Sequence, residues 1–170
     1  LDKMVSWDVV KGDGNGNYNT GNVITRAEFV AMMNRAYGYN DLGTMPFTDV
    51  TPWDWFYEDI NKAYTAGIFQ GTSDTTAEPY APITREQAIT LLARTMRMDE
   101  IPGEIIDFTD GRQFSSWSRG YVKAAIRAGI INGYEDGSCR PMQNLTRGEA
   151  IKMMCVGIGS LINTPGTHAP

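Results

Sequence analysis

A five-residue motif occurs three times along the chain at nearly equal intervals. Each copy reads aliphatic residue, Thr, Arg, any residue, then Glu or Gln, and the copies occupy residues 24–28, 83–87 and 145–149. The motif therefore repeats with a period of about sixty residues, which is typical of a tandem array of similar structural units. A chain with this pattern is expected to fold as three related repeats.

Each copy of the motif also has the pattern of a helix start. Thr followed three residues later by Glu or Gln forms a capping box, in which the Thr hydroxyl accepts from the third helical N–H and the acid or amide accepts from the Thr N–H. Such a cap stabilises a helix by about 1 kcal/mol. We therefore expect helices to begin just after Thr25, Thr84 and Thr146.

The arginine of the motif is not explained by capping. Arg26, Arg85 and Arg147 fall at the first helical position, where the helix dipole disfavours a cation. A guanidinium beside free N–H groups is favourable if the helix start receives an anion, because both then face the same negative charge. The motif therefore predicts an anion site at each helix start, and the alternative is an arginine that pairs with a neighbouring acid.

Other residues repeat in the same register. Glycines stand thirteen residues before the three threonines, and Trp55 and Trp117 stand sixteen residues before the second and third of these glycines. The sequence Phe-Thr-Asp opens the second and third repeats. The alignment predicts three helix–loop–helix repeats at 1–40, 46–99 and 107–162, followed by a linker at 163–170 that contains two prolines.

The apolar residues predict where the helices lie. The first helix of the second repeat is expected over residues 55–66, with Ile60 and Ala63 on its apolar side and Gly67 closing it in a left-handed conformation. In the first repeat Asp8 takes the place of that glycine. Because Leu1 aligns with Ile60, the first repeat is expected to enter partway along its first helix.

The second helices have apolar faces that are expected to be core. Their residues recur at helical spacing, and they are Phe29, Met32, Met33, Ala36 and Tyr37, then Ala88, Leu91, Leu92, Thr95 and Met96, then Ala150, Met153, Met154, Gly157 and Ile158.

Composition excludes several classes of protein. The net charge of −5 argues against a nucleic-acid binder, so an anionic partner must be held by individually placed arginines. Cys139 and Cys155 fit neither a disulfide framework nor a metal spacing, and we expect free thiols. No apolar run is long enough to cross a bilayer, and the pattern predicts neither a cofactor nor a metal.

Two alternative functions, catalysis and calcium binding, have specific candidate residues in the sequence. The only histidine, His168, lies in the tail, so no Ser-His-Asp or Cys-His arrangement is available. A glycosidase needs only two carboxylates, but the candidates Glu28, Glu149, Asp49 and Asp110 recur with the repeats, and a catalytic pair is expected to be unique.

The segment from Asp13 begins like an EF-hand loop but lacks the required glycine and the twelfth-position acid, so a turn is expected.

The motifs together resemble those of the S-layer homology domain. That family has Phe-x-Asp, a helix led by Trp, a glycine-bounded loop with Asp-Gly and Pro, and Thr-Arg-Ala-Glu at the start of a second helix. The local match is best at residues 133–141 followed by 145–149, where Cys139 replaces the family's usual aromatic residue. The resemblance covers the chain from Leu1 to about residue 162.

The resemblance implies an all-α fold, in which three tandem repeats form a pseudo-threefold, three-pronged module. It implies non-covalent anchoring of a larger exported protein at the cell wall, by binding of an anionic and often pyruvylated cell-wall polysaccharide. In the family the motif arginine lines a groove between prongs and meets the anionic substituent. Nucleic acid and membrane insertion are not expected.

Carried over by position, the family's ligand-contacting arginines are Arg26, Arg85 and Arg147. The predicted ligand-binding residues also include Glu28, Glu149, Trp55 and Trp117. The tryptophans either stack on sugar faces or pack the joint between repeats. Among the arginines we rank Arg26 first because its motif is complete. Arg147 is second because Gly148 loosens the first turn by roughly 1 kcal/mol, and Arg85 is last because Glu86 is expected to occupy its guanidinium.

A helical repeat with a structural or protein-binding role and no carbohydrate ligand is the remaining alternative. It accounts for the core and the caps but leaves the position of the arginines unexplained.

Overall fold

The computed structural model describes residue 5 and residues 8–162, with side chains as far as residue 159. The predicted linker at 163–170, Trp7 and the opening of the first repeat lie outside these residues. Residues 8–162 contain five α-helices, one 3₁₀ turn and no strand, apart from two isolated antiparallel bridges, Val23 with Thr146 and Thr25 with Pro82. The all-α prediction is confirmed.

The chain divides into two compact units. The first compact unit comprises Leu1–Ile83 with Asn144–Gly148, and the second comprises Thr84–Gln143 with Glu149–Pro170. The helices are α1 (Arg26–Tyr37) and α2 (Tyr57–Thr65) in the first, and α3 (Arg85–Thr95) and α4 (Ser116–Arg127) in the second, with a 3₁₀ turn at Gly111–Gln113. Helix α5 (Arg147–Ile162) begins with two residues of the first unit and continues in the second.

In the first compact unit, α1 packs against α2. The apolar face predicted for α1 is buried at Phe29 and Met33, and that of α2 at Ile60 and Ala63, all at 0% exposure. A polar contact joins the two helices, since the Asn34 side-chain amide donates to the Asp59 carbonyl at 2.8 Å. The helix that α1 packs against thus comes from the next repeat of the sequence.

The start of α2 differs from its predicted position at Trp55. The Asp54 carboxylate accepts hydrogen bonds from the Thr51 N–H at 2.6 Å and from its hydroxyl at 3.0 Å. These bonds fold residues 51–54 into a turn, so Trp55 follows that turn and the helix begins at Tyr57. The helical spacing of the apolar residues did not reveal this turn, because a tryptophan at position 55 fits either a turn or the first residue of a helix.

In the second compact unit, α3 packs against α4. Glu86, at the start of α3, is 2% exposed, and its carboxylate accepts from the Ser115 N–H at 2.9 Å, the Ser115 hydroxyl at 2.8 Å and the Ser118 hydroxyl at 2.9 Å. An acid at a helix start satisfies N–H groups that have no partner within the helix. The expectation that Glu86 occupies the Arg85 guanidinium is therefore wrong, because its carboxylate is taken by the start of α4.

The capping boxes at α1 and α3 are present as predicted. The Thr25 hydroxyl accepts from the Glu28 N–H at 3.2 Å, and the Glu28 carboxylate accepts from the Thr25 N–H at 3.2 Å. At α3 the corresponding pair is Thr84 and Gln87, with distances of 3.4 and 3.1 Å. The left-handed residues are also confirmed, with φ of 75° at Gly67, 72° at Gly129 and 57° at Asp8.

The residues immediately before the three caps form a closed ring of backbone hydrogen bonds within the first compact unit. The Ile24 N–H donates to the Leu145 carbonyl at 2.9 Å, the Leu145 N–H to the Ile83 carbonyl at 3.0 Å, and the Ile83 N–H to the Ile24 carbonyl at 3.1 Å. All three residues have 0% exposure. The ring therefore links the three motif copies through amides that are shielded from water.

We expect Ile24→Ala to lower the free energy of unfolding by about 2–5 kcal/mol, because it leaves a cavity beside the buried ring. The neighbouring substitution Val23→Ala, at a side chain that is 50% exposed, is expected to cost less than about 1 kcal/mol. Urea unfolding followed by far-ultraviolet circular dichroism measures both. Equal losses in the two variants would contradict the close packing of the Ile24 side chain beside the ring.

Candidate functional site

The three motif arginines make the same contact in the structure. Each guanidinium Nε donates to a main-chain carbonyl in the loop of another repeat: Arg26 to Ala77 at 2.9 Å, Arg85 to Cys139 at 2.8 Å, and Arg147 to Tyr18 at 3.2 Å. These contacts lie within one compact unit each. The arginines thus tie each helix start to a loop.

The N–H groups at the helix starts are also occupied. In α1, α3 and α5, which begin at the motif arginines, the first two N–H groups donate to loop carbonyls at 2.8 to 3.0 Å: Arg26 to Ala81 and Ala27 to Pro79, Arg85 to Gln143 and Glu86 to Pro141, Arg147 to Asn22 and Gly148 to Thr20. At α1 and α3 the third N–H is held by the capping threonine. The expectation that free helical N–H groups receive an anion is therefore wrong, because the donors already have partners.

The loop carbonyls are held in place by two repeated features. The Asp49 carboxylate accepts from the N–H groups of Ala77 and Glu78, at 2.9 and 2.8 Å, and Asp110 makes the same contacts with Cys139 and the next residue, both at 2.8 Å. Asp49 and Asp110 thus fix the loops that carry the carbonyls bound by Arg26 and Arg85. Asn19, Glu78 and Arg140, at matching positions of the three loops, have φ of 48°, 49° and 57°.

The three guanidinium groups differ in burial and in their other contacts. Arg26 is 4% exposed and lies over the Phe69 ring at 5.1 Å. Burial lowers the pKa of Arg26, while Glu78 and Asp49 act in the opposite direction. Arg147 also donates to the Lys11 carbonyl at 3.2 Å. These two arginines therefore have much of their donor capacity committed to the protein.

The motif acids meet arginines of other motif copies. Arg147 lies 3.7 Å from Glu28, and Arg85 lies 3.9 Å from Glu149. The alternative of an arginine paired with an acid thus holds for these two, although the acid is not the neighbouring residue in the sequence. At the matching position of the second repeat the motif has Gln87 in place of an acid.

A cleft of about 280 Å³ lies beside Arg85 in the second compact unit. One part of its lining is polar or charged and consists of Arg85, Glu149, Lys152, Asn132, Tyr134 and the backbone at Gly133. The other part is apolar and consists of Ile130, Ile131, Met153 and Val156. Lys152 is exposed, and its ammonium makes no ion pair with any residue that the structure describes. The cleft therefore contains an uncommitted cation.

Tyr134 connects the charged groups of this cleft. The Arg85 guanidinium lies 5.0 Å from its ring centroid and the Arg140 guanidinium 3.8 Å from it, while its hydroxyl donates to the Glu149 carboxylate at 3.3 Å. Burial raises the pKa of Tyr134 above its usual range. Sequence reasoning missed Lys152 and Tyr134 because neither residue repeats in the other copies of the loop and helix.

Trp55 and Trp117 lie at the surface, 57% and 46% exposed. Neither is a buried joint residue. The segment from Asp13 is a turn as expected, in which the Asp13 carboxylate accepts from the N–H groups of Asn15 at 2.9 Å and Asn17 at 3.3 Å.

Comparison with known families decides what kind of module this is. The model of the S-layer homology domain matches the chain in three segments, residues 2–30, 46–89 and 107–151. The chain belongs to the S-layer homology domain family. The prediction of three tandem copies is thereby confirmed, and the exact repeat boundaries given above stay predictions.

Relatives of this S-layer homology module include a protein named for the surface layer and two polysaccharide-degrading enzymes. The chain is 31% identical over 135 residues to the surface-layer 125 kDa protein of Lysinibacillus sphaericus, 33% over 156 residues to an amylopullulanase of Thermoanaerobacterium thermosulfurigenes, and 31% over 156 residues to exoglucanase XynX of Acetivibrio thermocellus. The matches cover 79%, 88% and 88% of this chain but only 11%, 8% and 14% of those proteins.

Membership in this family makes the chain a cell-wall anchoring module with an extracellular location at the cell surface. Such modules bind cell-wall glycans and form parts of larger surface proteins. Every helix in the described part of the chain is too short or too polar to cross a bilayer.

We expect Arg26→Met to lower the free energy of unfolding by about 1–3 kcal/mol, because it keeps the apolar stem but leaves the buried Ala77 carbonyl without its donor. Arg35→Met is the matched control, since Arg35 lies exposed on the same helix. Chemical denaturation of both variants is the measurement. A loss in Arg35→Met as large as that in Arg26→Met would contradict the structural contact.

We expect Cys139 to react much more slowly than Cys155 with iodoacetamide at pH 8. Cys139 is 0% exposed, and burial raises the pKa of its thiol, so little of the reactive thiolate is present. Peptide mapping by mass spectrometry gives both rates, and in urea the two cysteines should react alike. Equal rates in the folded chain would show that the loop carrying the Arg85 contact opens readily.

Proposed function

We propose that this module binds an anionic, often pyruvylated, cell-wall polysaccharide through grooves lined by Arg26, Arg85 and Arg147, and that it does so without catalysis. The observation that carries the proposal is the cleft beside Arg85, in which Lys152 has no ion-pair partner among the described residues. A cleft of this kind suits a sugar residue that carries one carboxylate.

The geometry favours a different order among the grooves from the one that the sequence suggested. Arg26 is the most buried of the three arginines, at 4% exposure. Arg85 is also buried, at 8%, but it lines an open cleft together with a second cation, Lys152. Because Glu149 offsets only part of the positive charge in that cleft, a ligand carboxylate there meets a net attraction. We therefore place the strongest anion site at Arg85 and Lys152.

The arginines in this proposal have two roles. Each holds a loop carbonyl through Nε, and in the proposal its terminal nitrogens meet the ligand, at Arg85 from the lining of the cleft and at Arg26 and Arg147 in competition with the Gln70 and Lys11 carbonyls. A charge-assisted hydrogen bond contributes roughly 1.5–3 kcal/mol, so one groove alone gives modest affinity. Several grooves on a repeating polymer raise the apparent affinity by roughly 10²–10⁴.

The carboxylates considered for glycoside hydrolysis all have other partners. Asp49 and Asp110 each accept loop N–H groups, and Glu28 and Glu149 each face an arginine. A hydrolase needs one carboxylic acid with a raised pKa near a second free carboxylate. This arrangement supports binding without cleavage. The small share of each relative that the chain covers supports its being part of a larger exported protein.

A structural or protein-binding repeat without a glycan ligand is the second candidate. The bonds from the arginines to loop carbonyls favour it, because they explain the arginine position without any ligand. Substituting an arginine cannot separate the two candidates, since its loss weakens the fold in both. Lys152 can, because it has no such structural contact.

We expect Lys152→Gln to weaken binding to purified pyruvylated wall polysaccharide by roughly 10-fold or more, through loss of one charge-assisted contact. Its thermal unfolding should match that of the parent chain. Lys62→Gln is the matched control, because Lys62 makes a surface ion pair with Glu58 on α2 and does not line the cleft. Affinity electrophoresis at two salt concentrations measures the change, and the difference between variants should shrink at high salt.

Unchanged binding of Lys152→Gln to the polysaccharide would contradict the assignment of this cleft. Failure of the parent chain to bind any wall polysaccharide would favour the structural repeat. Removal of the pyruvate ketals by mild acid should reduce binding of the parent chain to the level of Lys152→Gln.

A further inference from the structure

Three large aromatic side chains lie exposed in the first compact unit. Trp53 is 93% exposed, Tyr80 66% and Trp55 57%, and together we name them the aromatic platform. Aromatic side chains left in water forfeit the stabilisation that burial would give them. Trp55 and Tyr80 share a contact with Phe56, and Trp53 lies two residues from Trp55 in the sequence; exposed aromatic groups of this kind commonly mark binding surfaces.

Two members of the platform are held by the same buried ring. Phe56 has 0% exposure, and it meets Trp55 edge-on with ring centroids 5.3 Å apart and Tyr80 edge-on at 5.1 Å. Edge-to-face contacts of this kind are favourable and fix ring orientation. Trp55 and Tyr80 are thus exposed but rigidly placed.

The third member, Trp53, is carried by a fixed turn. The Asp54 carboxylate binds both the N–H and the hydroxyl of Thr51, and the Asp54 N–H donates to the Thr51 carbonyl at 3.0 Å. The Trp53 ring makes no ring contact with any residue that the structure describes. Its backbone is therefore ordered by neighbouring residues, and its side chain has no packing role.

The repeat architecture does not account for the platform. In the register of the motif, Trp55 and Tyr80 correspond to Trp117 and Met142, and the buried Phe56 corresponds to Ser118. Ser118 binds the Glu86 carboxylate, so the second compact unit has no ring at that position. The platform belongs to the first compact unit alone.

The charges near the platform differ from those in the Arg85 cleft. Asp54, Glu58 and Glu78 are its neighbours in the sequence, and no lysine or arginine occurs among residues 51–58 or 76–82. Acids next to the rings disfavour an anionic group. Uncharged sugar rings suit this surface better, because aromatic faces pack against the apolar faces of such rings.

We propose that the aromatic platform binds uncharged sugar rings of the wall polysaccharide, as a second subsite separate from the anion cleft. This inference rests on the proposed function, because it takes the same polymer as the ligand. The two subsites divide the recognition between them, with the cleft selecting the acidic substituent and the platform holding the neutral part of the polymer.

The test uses wall polysaccharide from which the pyruvate ketals have been removed by mild acid, and the variant Trp53→Ala/Tyr80→Ala, which leaves the Trp55–Phe56 contact in place. We expect the parent chain to be retarded by this neutral polymer in affinity electrophoresis. We expect the double variant to bind it about tenfold or more weakly, as is common for truncated aromatic anchors. Ile106→Ala, at an exposed apolar side chain of the second unit that is 88% exposed, should bind as the parent does.

Two outcomes overturn the inference. Equal binding of the neutral polymer by the double variant and the parent shows that the platform is not a sugar subsite. Absence of parent binding to the neutral polymer shows the same, even when the pyruvylated polymer binds in a Lys152-dependent manner, which leaves the proposed function intact. A third outcome concerns the anion cleft alone. If binding of the neutral polymer depends on the platform but Lys152→Gln does not change binding of the pyruvylated polymer, only the assignment of the anion cleft is contradicted.

Discussion

The ring of three backbone hydrogen bonds among Ile24, Ile83 and Leu145 is the contact on which the rest of the site depends. Its amides are buried and each has its partner in another repeat, so leaving any one unpaired would cost the desolvation of a polar group. The next residue after each ring member begins a helix cap. Closing the ring therefore fixes the residue that precedes each cap.

That position explains why the arginines are compatible with a helix start. A cation there is disfavoured by the dipole, but the N–H groups that create the unfavourable field already donate to loop carbonyls. The guanidinium Nε donates to one further carbonyl of the same loop. Several hydrogen bonds thus join each loop to a helix start, and the bond from the arginine Nε is one of them.

The repeats share this scaffold and differ in what surrounds it. In the second compact unit the scaffold is accompanied by Lys152, Tyr134 and a cleft, and in the first by exposed aromatic rings around Phe56. Such differences arise at positions that the scaffold does not use, because the ring, the caps and the loop carbonyls constrain only a few residues in each repeat. One repeated frame can therefore carry recognition groups of different chemistry.

The sequence by itself determined the all-α class, the three repeats, the capping boxes, the left-handed residues after the first helices and most of the buried apolar faces. These properties follow from spacing and from local bonds between residues close in the chain. Only the tertiary structure decided which groups satisfy the arginines, the Glu86 carboxylate and the helical N–H groups, because their partners lie in other repeats and loop carbonyls leave no signature in the sequence. It also decided that Lys152 faces a cleft and that Trp53 stays in solvent, since exposure depends on what packs nearby.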